Sequence, residues 1–134
     1  MLIFLRVLFS VVLVSMVAVT SWATLQCPLF AVPRAVATHP WFIATLFDAY
    51  WGFITFYLWV AYKEVSWVSR SAWLIAILLL GNIAMAAYCL RELSRSWMDR
   101  PLRDILTMRH VQPSYLGVGL AVFGVAVIGI SLRA

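Results

Sequence analysis

Charged residues are scarce in this sequence. They make up 11% of its 134 residues, and only five residues are acidic. A soluble globular domain usually carries about 25% charged residues, so the composition excludes that class. Because 65% of the residues are hydrophobic, we expect one membrane domain over residues 1–134. What remains outside the apolar segments is too little for a separate soluble domain.

Cysteine and histidine are equally rare, with two of each. Cys27 and Cys89 lie far apart, and neither has the spacing of a disulfide framework or a metal site. We therefore expect no metal and no cofactor. The apolar segments also lack a nucleophile–base pair, a phosphate-binding glycine loop and paired carboxylates. The sequence thus indicates no catalytic residues and favours a binding protein over an enzyme.

The net charge of +5 comes from basic residues at the ends of apolar segments and in loops. Basic residues in these positions attract anionic lipid headgroups. We therefore expect membrane lipid as a partner and no nucleic acid. A second copy or another membrane protein is a further expected partner.

Four apolar segments are long enough to approach the roughly 20 residues that cross a bilayer. The sequence predicts an all-α polytopic membrane helix bundle with four transmembrane helices, in the bacterial inner membrane. A short interfacial helix is expected in the third loop, starting at about Pro101. The predicted spans are 7–22, 41–62, 72–90 and 115–132.

The first span has an alternative interpretation as a cleavable signal peptide, because a short basic start, an apolar run and the triplet Ser21-Trp22-Ala23 are typical of one. The Trp inside the triplet and the length of the apolar run favour a retained span. The orientation of the chain across the membrane stays open. With four spans the total of the basic residues favours cytoplasmic first and third loops, whereas the first three helices alone favour a cytoplasmic amino terminus. One side would hold Arg6, Lys63, Arg70 and Arg133, and the other Arg34, Arg91, Arg95, Arg100, Arg103 and Arg109.

Aromatic residues flank the predicted spans, as expected for rings that collect at headgroup depth. One aromatic belt would contain Trp22, Trp41, Trp97 and Tyr115, and the other Trp59, Tyr62, Trp67 and Trp73. The last span is rich in small residues, which permit close helix packing in lipid. We expect that packing to occur within one chain.

Asp48 is the only charged residue in the second span. An intramembrane acid usually faces the bundle interior and finds a partner there. Antiparallel geometry would place Asn82, in the third span, at a similar depth. These two residues are the candidate pair. They form either a binding or proton-relay site or a simple fastening between helices.

The helical face through Asp48 is small and polar, with Thr45, Gly52 and Thr55, so we expect it to turn inward. Trp51 and Trp59 would line an apolar pocket beside it. His39 precedes Pro40 at the entrance to the same helix. The candidate binding residues are therefore Asp48, Asn82, His39, Thr45, Thr55, Trp51 and Trp59.

Two runs, HPWFIATLFDAYWGFITFYLWVAYKE from His39 and LLLGNIAMAAYCL ending at Leu90, carry a resemblance. They resemble the core of a family of small multi-pass membrane proteins known only as a domain of unknown function. The resemblance covers about the first ninety residues and implies a membrane bundle. It implies no activity, substrate or cofactor. It makes His39, Asp48, Lys63, Glu64 and Asn82 part of a family pattern.

The leading hypothesis is a binding or accessory component with a polar intramembrane site around Asp48 and Asn82. One alternative is a small proton- or cation-coupled transporter that uses Asp48 as its coupling acid. Another is a membrane enzyme for a lipophilic substrate, with Asp48 and His39 as acid and base.

Overall fold

The computed structural model describes residues 1–95 and 101–133, and within these ranges the chain is all-α, with seven α-helices and no strand. The all-α prediction is therefore confirmed for the described residues. A single β-bridge joins Glu64 to His110. The helices are α1 (Leu2–Gln26), α2 (Arg34–Ala37), α3 (Pro40–Lys63), α4 (Trp67–Leu80), α5 (Asn82–Arg95), α6 (Leu102–Thr107) and α7 (Tyr115–Ser131), with a 3-10 turn at Leu29–Ala31.

Among the described residues, two helices, and not the predicted four, are long and apolar enough to cross a membrane. They are α1 and α3, which correspond to the predicted spans 7–22 and 41–62. At 1.5 Å per residue each is roughly 36 Å long, against a hydrocarbon core of about 30 Å. The shorter α7 has 17 residues and reaches about 25 Å.

The predicted third span, 72–90, is wrong as a continuous helix because the chain reverses direction at Gly81. Gly81 has a φ of 52°, a conformation that favours glycine and ends α4. The rings of Trp73 and Tyr88, about two turns on either side of Gly81, have centroids 4.8 Å apart. The helices α4 and α5 therefore form a hairpin, and each arm is only about 21 Å long.

The reversal brings five helix ends together. Arg6, near the start of α1, donates a hydrogen bond of 2.7 Å to the carbonyl of Leu93, near the end of α5. Lys63, the last residue of α3, pairs with Glu92. The backbone N–H of Ser114, before α7, donates to Ser69 Oγ of α4 at 2.7 Å. The open end of the hairpin, the starts of α1 and α7 and the end of α3 thus share one end of the bundle.

We call this the basic end, because most described basic residues lie there. The four-span prediction divided them between both sides, and the hairpin explains the difference by returning α5 to the side where α4 begins. It also moves Tyr115 to the end that holds Trp67, whereas Trp73 is buried in the core. Trp97 of the predicted belts lies outside the described residues. The basic end contains Arg6, Lys63, Arg70, Arg91, Arg95, Arg103 and Arg109, and the opposite end contains Arg34 and Arg133.

Small residues on one face of α7 pack against α4, which confirms the prediction of packing within the chain. Gly117, Ala121 and Gly124 are the buried residues of α7. A Cβ on Gly117 would lie 2.7 Å from Trp73 Nε1, and one on Gly124 would lie 3.1 Å from Leu79 Cβ. The two helices therefore run side by side in the same direction, with backbone close to side chain.

Candidate functional site

Five ionisable side chains meet inside the basic end. We call them the ion-pair cluster: Lys63, Glu64, Arg91, Glu92 and His110. The residues of α3 and α5 in it are almost fully buried, since Lys63 and Glu64 have no exposed surface and Glu92 has 4%. Burial of charges is costly unless each is paired and hydrogen-bonded. The stability of the folded bundle therefore depends on the pairing of these buried charges.

The ion pairs connect α3 to α5. Lys63 Nζ contacts Glu92 Oε2 and also donates to the carbonyl of Ile105. Arg91 Nη1 donates to Glu64 Oε1 at 2.6 Å. Each helix thus contributes one cation and one acid, and the pairs are reciprocal. Two cations and two carboxylates balance, so the buried charge sums to zero.

His110 completes the cluster from the segment after α6. Its Nε2 lies 2.8 Å from Glu92 Oε2, and its Nδ1 lies 3.3 Å from Arg95 Nη1. A carboxylate can only accept and a guanidinium can only donate, so these partners place the hydrogen of the ring on Nε2. His110 thereby donates to Glu92 and accepts from Arg95.

Glu92 receives opposing influences on its pKa. Burial raises the pKa of this carboxyl group, whereas the hydrogen bonds from His110 and Lys63 and the charge of Lys63 lower it. The net result is a pKa below the usual 4.5. Glu92 therefore stays ionised at neutral pH despite its burial. Its ionised carboxylate accepts the hydrogen bonds that Lys63 and His110 donate.

The segment after α6 is fastened to α3 by backbone and side-chain hydrogen bonds. His110 N donates to Lys63 O at 2.7 Å, and Val65 N donates to His110 O at 2.8 Å. Trp59 Nε1 donates to Leu106 O at 3.1 Å. A helix does start after Pro101, as predicted, and these bonds hold its carboxyl end over α3.

Three residues of metal-ligating types also lie together in the cluster. One ligand atom each from Glu64, Glu92 and His110 lie within 4.8 Å of one another. Lys63 and Arg91 already neutralise the two carboxylates. A divalent cation would add two unbalanced charges to a buried site, which is costly. The geometry favours an ion-pair cluster over a metal centre.

An apolar cavity of about 380 Å³ lies beside the cluster, between α1, α3, α5 and α6. Leu5 and Phe9 of α1 and Ile105 and Leu106 of α6 face Trp59, Cys89 and Leu93 across it, and the one charged lining residue is Glu92. Within the described chain, no group donates a hydrogen bond to Glu92 Oε1, although this atom is buried. The guanidinium of Arg91 lies close to this atom, with its Nη1 3.7 Å away, beyond hydrogen-bond distance. The cavity thus combines apolar walls with one carboxylate.

The predicted pair, Asp48 and Asn82, is not joined by a hydrogen bond in the part of the chain that the structure describes. Both residues are exposed. The hairpin is the physical reason. A Cβ on Gly81 would lie 2.6 Å from Phe53 Cζ, so Asn82 is level with Phe53. Asp48 lies five residues earlier on α3, or about 7.5 Å away along the helix axis.

The face of α3 through Asp48 points outward, so the prediction that it turns inward is wrong. A Cβ on Gly52 would meet no other atom within 4 Å. The hydroxyls of Thr45 and Thr55 donate to carbonyls of their own helix, those of Trp41 and Trp51, at 2.8 Å. His39 and Trp51 are exposed as well. Of the seven candidate residues, Trp59 lines the cavity beside the cluster.

Sequence reasoning missed the ion-pair cluster because Lys63 and Glu64 lie just outside the predicted span 41–62 and were noted only as part of the family pattern. A signal was present. Lys63-Glu64 and Arg91-Glu92 are two cation–acid dipeptides, each at the end of an apolar helix, and they contain two of the five acids of the chain. Complementary dipeptides of this kind can form reciprocal pairs if their helix ends meet. Only the hairpin at Gly81 makes them meet.

Comparison with known proteins identifies a family and no function. Residues 1–117 match the family described as "Protein of unknown function (DUF1475)". The chain therefore belongs to this family, as the resemblance of its central runs indicated. No curated protein and no solved structure matches the chain. The site must be interpreted from its own geometry.

Proposed function

We propose that this protein is a multi-pass membrane protein that binds a lipophilic small molecule with a hydrogen-bond-donating head group. The observation that carries the proposal is Glu92, the charged residue in the lining of the apolar cavity, whose Oε1 accepts no hydrogen bond within the described residues and has Arg91 Nη1 at 3.7 Å. Ligand pockets are typically apolar, with a few polar groups that orient the ligand, and span about 300–1,000 Å³. The cavity fits this description.

The side chains that line the cavity indicate which class of ligand it can bind. Glu92 is held ionised by Lys63 and His110, which both use Oε2. Its Oε1 can therefore only accept, so the ligand must present an O–H or N–H group. The remainder of the ligand would lie against Leu5, Phe9 and Leu106, which are apolar. An alcohol, a phenol or an amine on a hydrocarbon body meets both demands.

Long-chain probes test this proposal on the full chain in lipid nanodiscs. We expect 1-dodecanol to bind roughly 10- to 100-fold more tightly than dodecyl methyl ether, because a hydrogen bond to a charged acceptor contributes about 1.5–3 kcal/mol. Leu5→Trp should fill the cavity and reduce binding at least tenfold. Binding is measured by the concentration dependence of the thermal midpoint.

Leu8→Trp is the matched control, because Leu8 lies on the same helix, is 42% exposed and does not line the cavity. Its affinity for 1-dodecanol should equal that of the unchanged protein. Equal affinity for the alcohol and the ether, or unchanged binding after Leu5→Trp, would contradict the proposal.

We further propose a topology of three crossings, α1, α3 and α7, with α4 and α5 as a hairpin that enters and leaves on the same side. Because α7 is about 25 Å long, it would cross where the bilayer thins locally to match it. The distribution of basic residues supports it: seven described Lys and Arg residues lie at the basic end and two at the opposite end. Because cytoplasmic loops carry the excess of Lys and Arg, the basic end faces the cytoplasm. The cell membrane is the corresponding location, and residues 1–134 form one membrane domain.

Cysteine labelling in intact bacterial cells tests this topology. Cys27 is exposed at the opposite end, whereas Cys89 is buried. A membrane-impermeant maleimide should label Cys27 in intact cells. In a Cys27→Ser/Val111→Cys variant, labelling should require permeabilisation, because Val111 is 75% exposed at the basic end. The reverse pattern, or labelling of both positions from one side, would overturn the topology.

We propose for Asp48 a role in association with a second copy of this chain. An exposed acid on a spanning helix is costly in lipid unless a neighbouring group pairs with it. Within the described residues, no hydrogen bond or ion pair reaches Asp48. Asp48→Leu is expected to convert a dimer in nanodiscs to a monomer by single-molecule mass measurement, while Thr45→Leu on the same exposed helix should not. A monomer before substitution would refute the role.

A further inference from the structure

A second groove lies on the other side of α5, away from the cavity beside Glu92. It runs between α1, α5 and α7 and has a volume of about 530 Å³. On α1 it is lined by Arg6, Ser10 and Leu13, which follow at helical spacing and so share one face. On α5 it is lined by Leu90, Arg91 and Ser94, which also share a face.

The groove is polar at one end and apolar at the other. Arg6, Arg91 and Ser94 lie toward the basic end, because α1 begins there and α5 ends there. Leu13 lies two turns deeper on α1, about 10 Å from Arg6 along the axis. Its lining contains two arginines and no acidic residue. A ligand that fits must be anionic at the basic end and apolar below it.

A second observation that points to an anionic ligand concerns the side chain of Arg91. Its side chain is 8% exposed, and its Nη1 is used by Glu64. Among the described residues, nothing accepts a hydrogen bond from its Nη2, although that atom is buried. An unmatched buried guanidinium N–H is costly, and a phosphate oxygen is a strong acceptor for it. An anion bound in the groove would supply an acceptor for this N–H group.

We propose that this groove binds an anionic phospholipid, with the phosphate near Arg6 and Arg91 and an acyl chain along Leu13 and Leu90. The proposal goes beyond the lipophilic ligand of the first cavity, since it concerns a different face of α5. The membrane supplies such lipids at the cytoplasmic leaflet, which is the anionic one. The basic end faces that leaflet in the proposed topology.

The test uses the full chain in nanodiscs of phosphatidylcholine, to which phosphatidylglycerol is added at one part in ten. Native mass spectrometry of the released protein measures how much phosphatidylglycerol remains bound. We expect retention above the level of phosphatidylcholine. Arg6→Gln should lower that retention about fivefold, the effect of one basic residue at a membrane surface. Leu13→Trp, which fills the apolar part without a change of charge, should lower it by at least as much.

Arg103→Gln is the matched control, because Arg103 is exposed at the same end and lies outside the groove. It should leave retention unchanged. Three results would each overturn the proposal. One is equal retention of the two lipids, and another is an equal loss in Arg103→Gln and Arg6→Gln, which would mean diffuse attraction to the surface. The third is displacement of the lipid by about 10 mM inorganic phosphate, which would assign the groove to a free anion.

Discussion

Replacing Lys63 with Met is expected to lower the free energy of unfolding by about 3–5 kcal/mol. The substitution keeps the length of the side chain but removes the cation that faces Glu92 and donates to the carbonyl of Ile105. Glu92, with 4% of its surface exposed, is left with the hydrogen bond from His110 and with Arg91 Nη1 at 3.7 Å. Chemical unfolding of the purified protein in detergent micelles measures the change.

The double variant Lys63→Met/Glu92→Gln separates the ion pair from simple loss of packing. Removal of both charges leaves no uncompensated buried ion, so most of the lost stability should return. Arg103→Met serves as the control for loss of a cation at the same end, and should change stability by less than about 0.5 kcal/mol, because Arg103 is exposed. A loss below about 1 kcal/mol for Lys63→Met would show that the cluster does not hold α3 to α5.

Replacing Gly81 with Ala is expected to lower the free energy of unfolding by about 2–4 kcal/mol. Two effects combine. The φ of 52° is a conformation that alanine rarely adopts, and the new Cβ would lie 2.6 Å from Phe53 Cζ. Both act at the tip of the hairpin, where α4 reverses into α5. The loss is measured by the same unfolding experiment in micelles.

Gly52→Ala is the matched control, because Gly52 lies within α3 with open space around it. It should leave stability unchanged or raise it slightly, since alanine has the higher helix propensity. Combining Gly81→Ala with Phe53→Ala removes the clash and keeps the backbone strain. If Gly81→Ala alone were neutral, the hairpin would not depend on the glycine conformation, and a straight helix through 72–90 would again be favoured.

The hairpin also shows why the sequence predicted the first half of the chain better than the second. In α1 and α3 the apolar runs are continuous and flanked by basic or aromatic residues, so hydropathy locates both helices. Residues 72–90 form an equally continuous apolar run, and a single glycine inside a membrane helix is commonly tolerated. Hydropathy therefore cannot distinguish a straight span from two shorter arms.

The hairpin is also the reason why the predicted site differs from the site in the structure. The sequence predicts that an acid in a spanning helix faces inward, and Asp48 is the obvious acid. The structure instead buries Glu64 and Glu92, which the sequence places at helix ends near headgroups. Their burial follows from the cations that accompany them, because Lys63 and Arg91 are brought opposite the acids when α5 returns beside α3. Asp48 has no cation at a comparable position on a neighbouring described helix.

Composition and hydropathy by themselves determined that the chain is helical, that α1 and α3 are long and apolar enough to cross a membrane, and that a short helix follows Pro101. These properties depend on the local run of residues, and such a run is visible in the sequence. Tertiary structure alone decided the direction of α5, the position of the buried charges and the two clefts beside it. Those features depend on which helix ends meet, and that is set by a contact between Gly81 and Phe53, residues far apart along the chain.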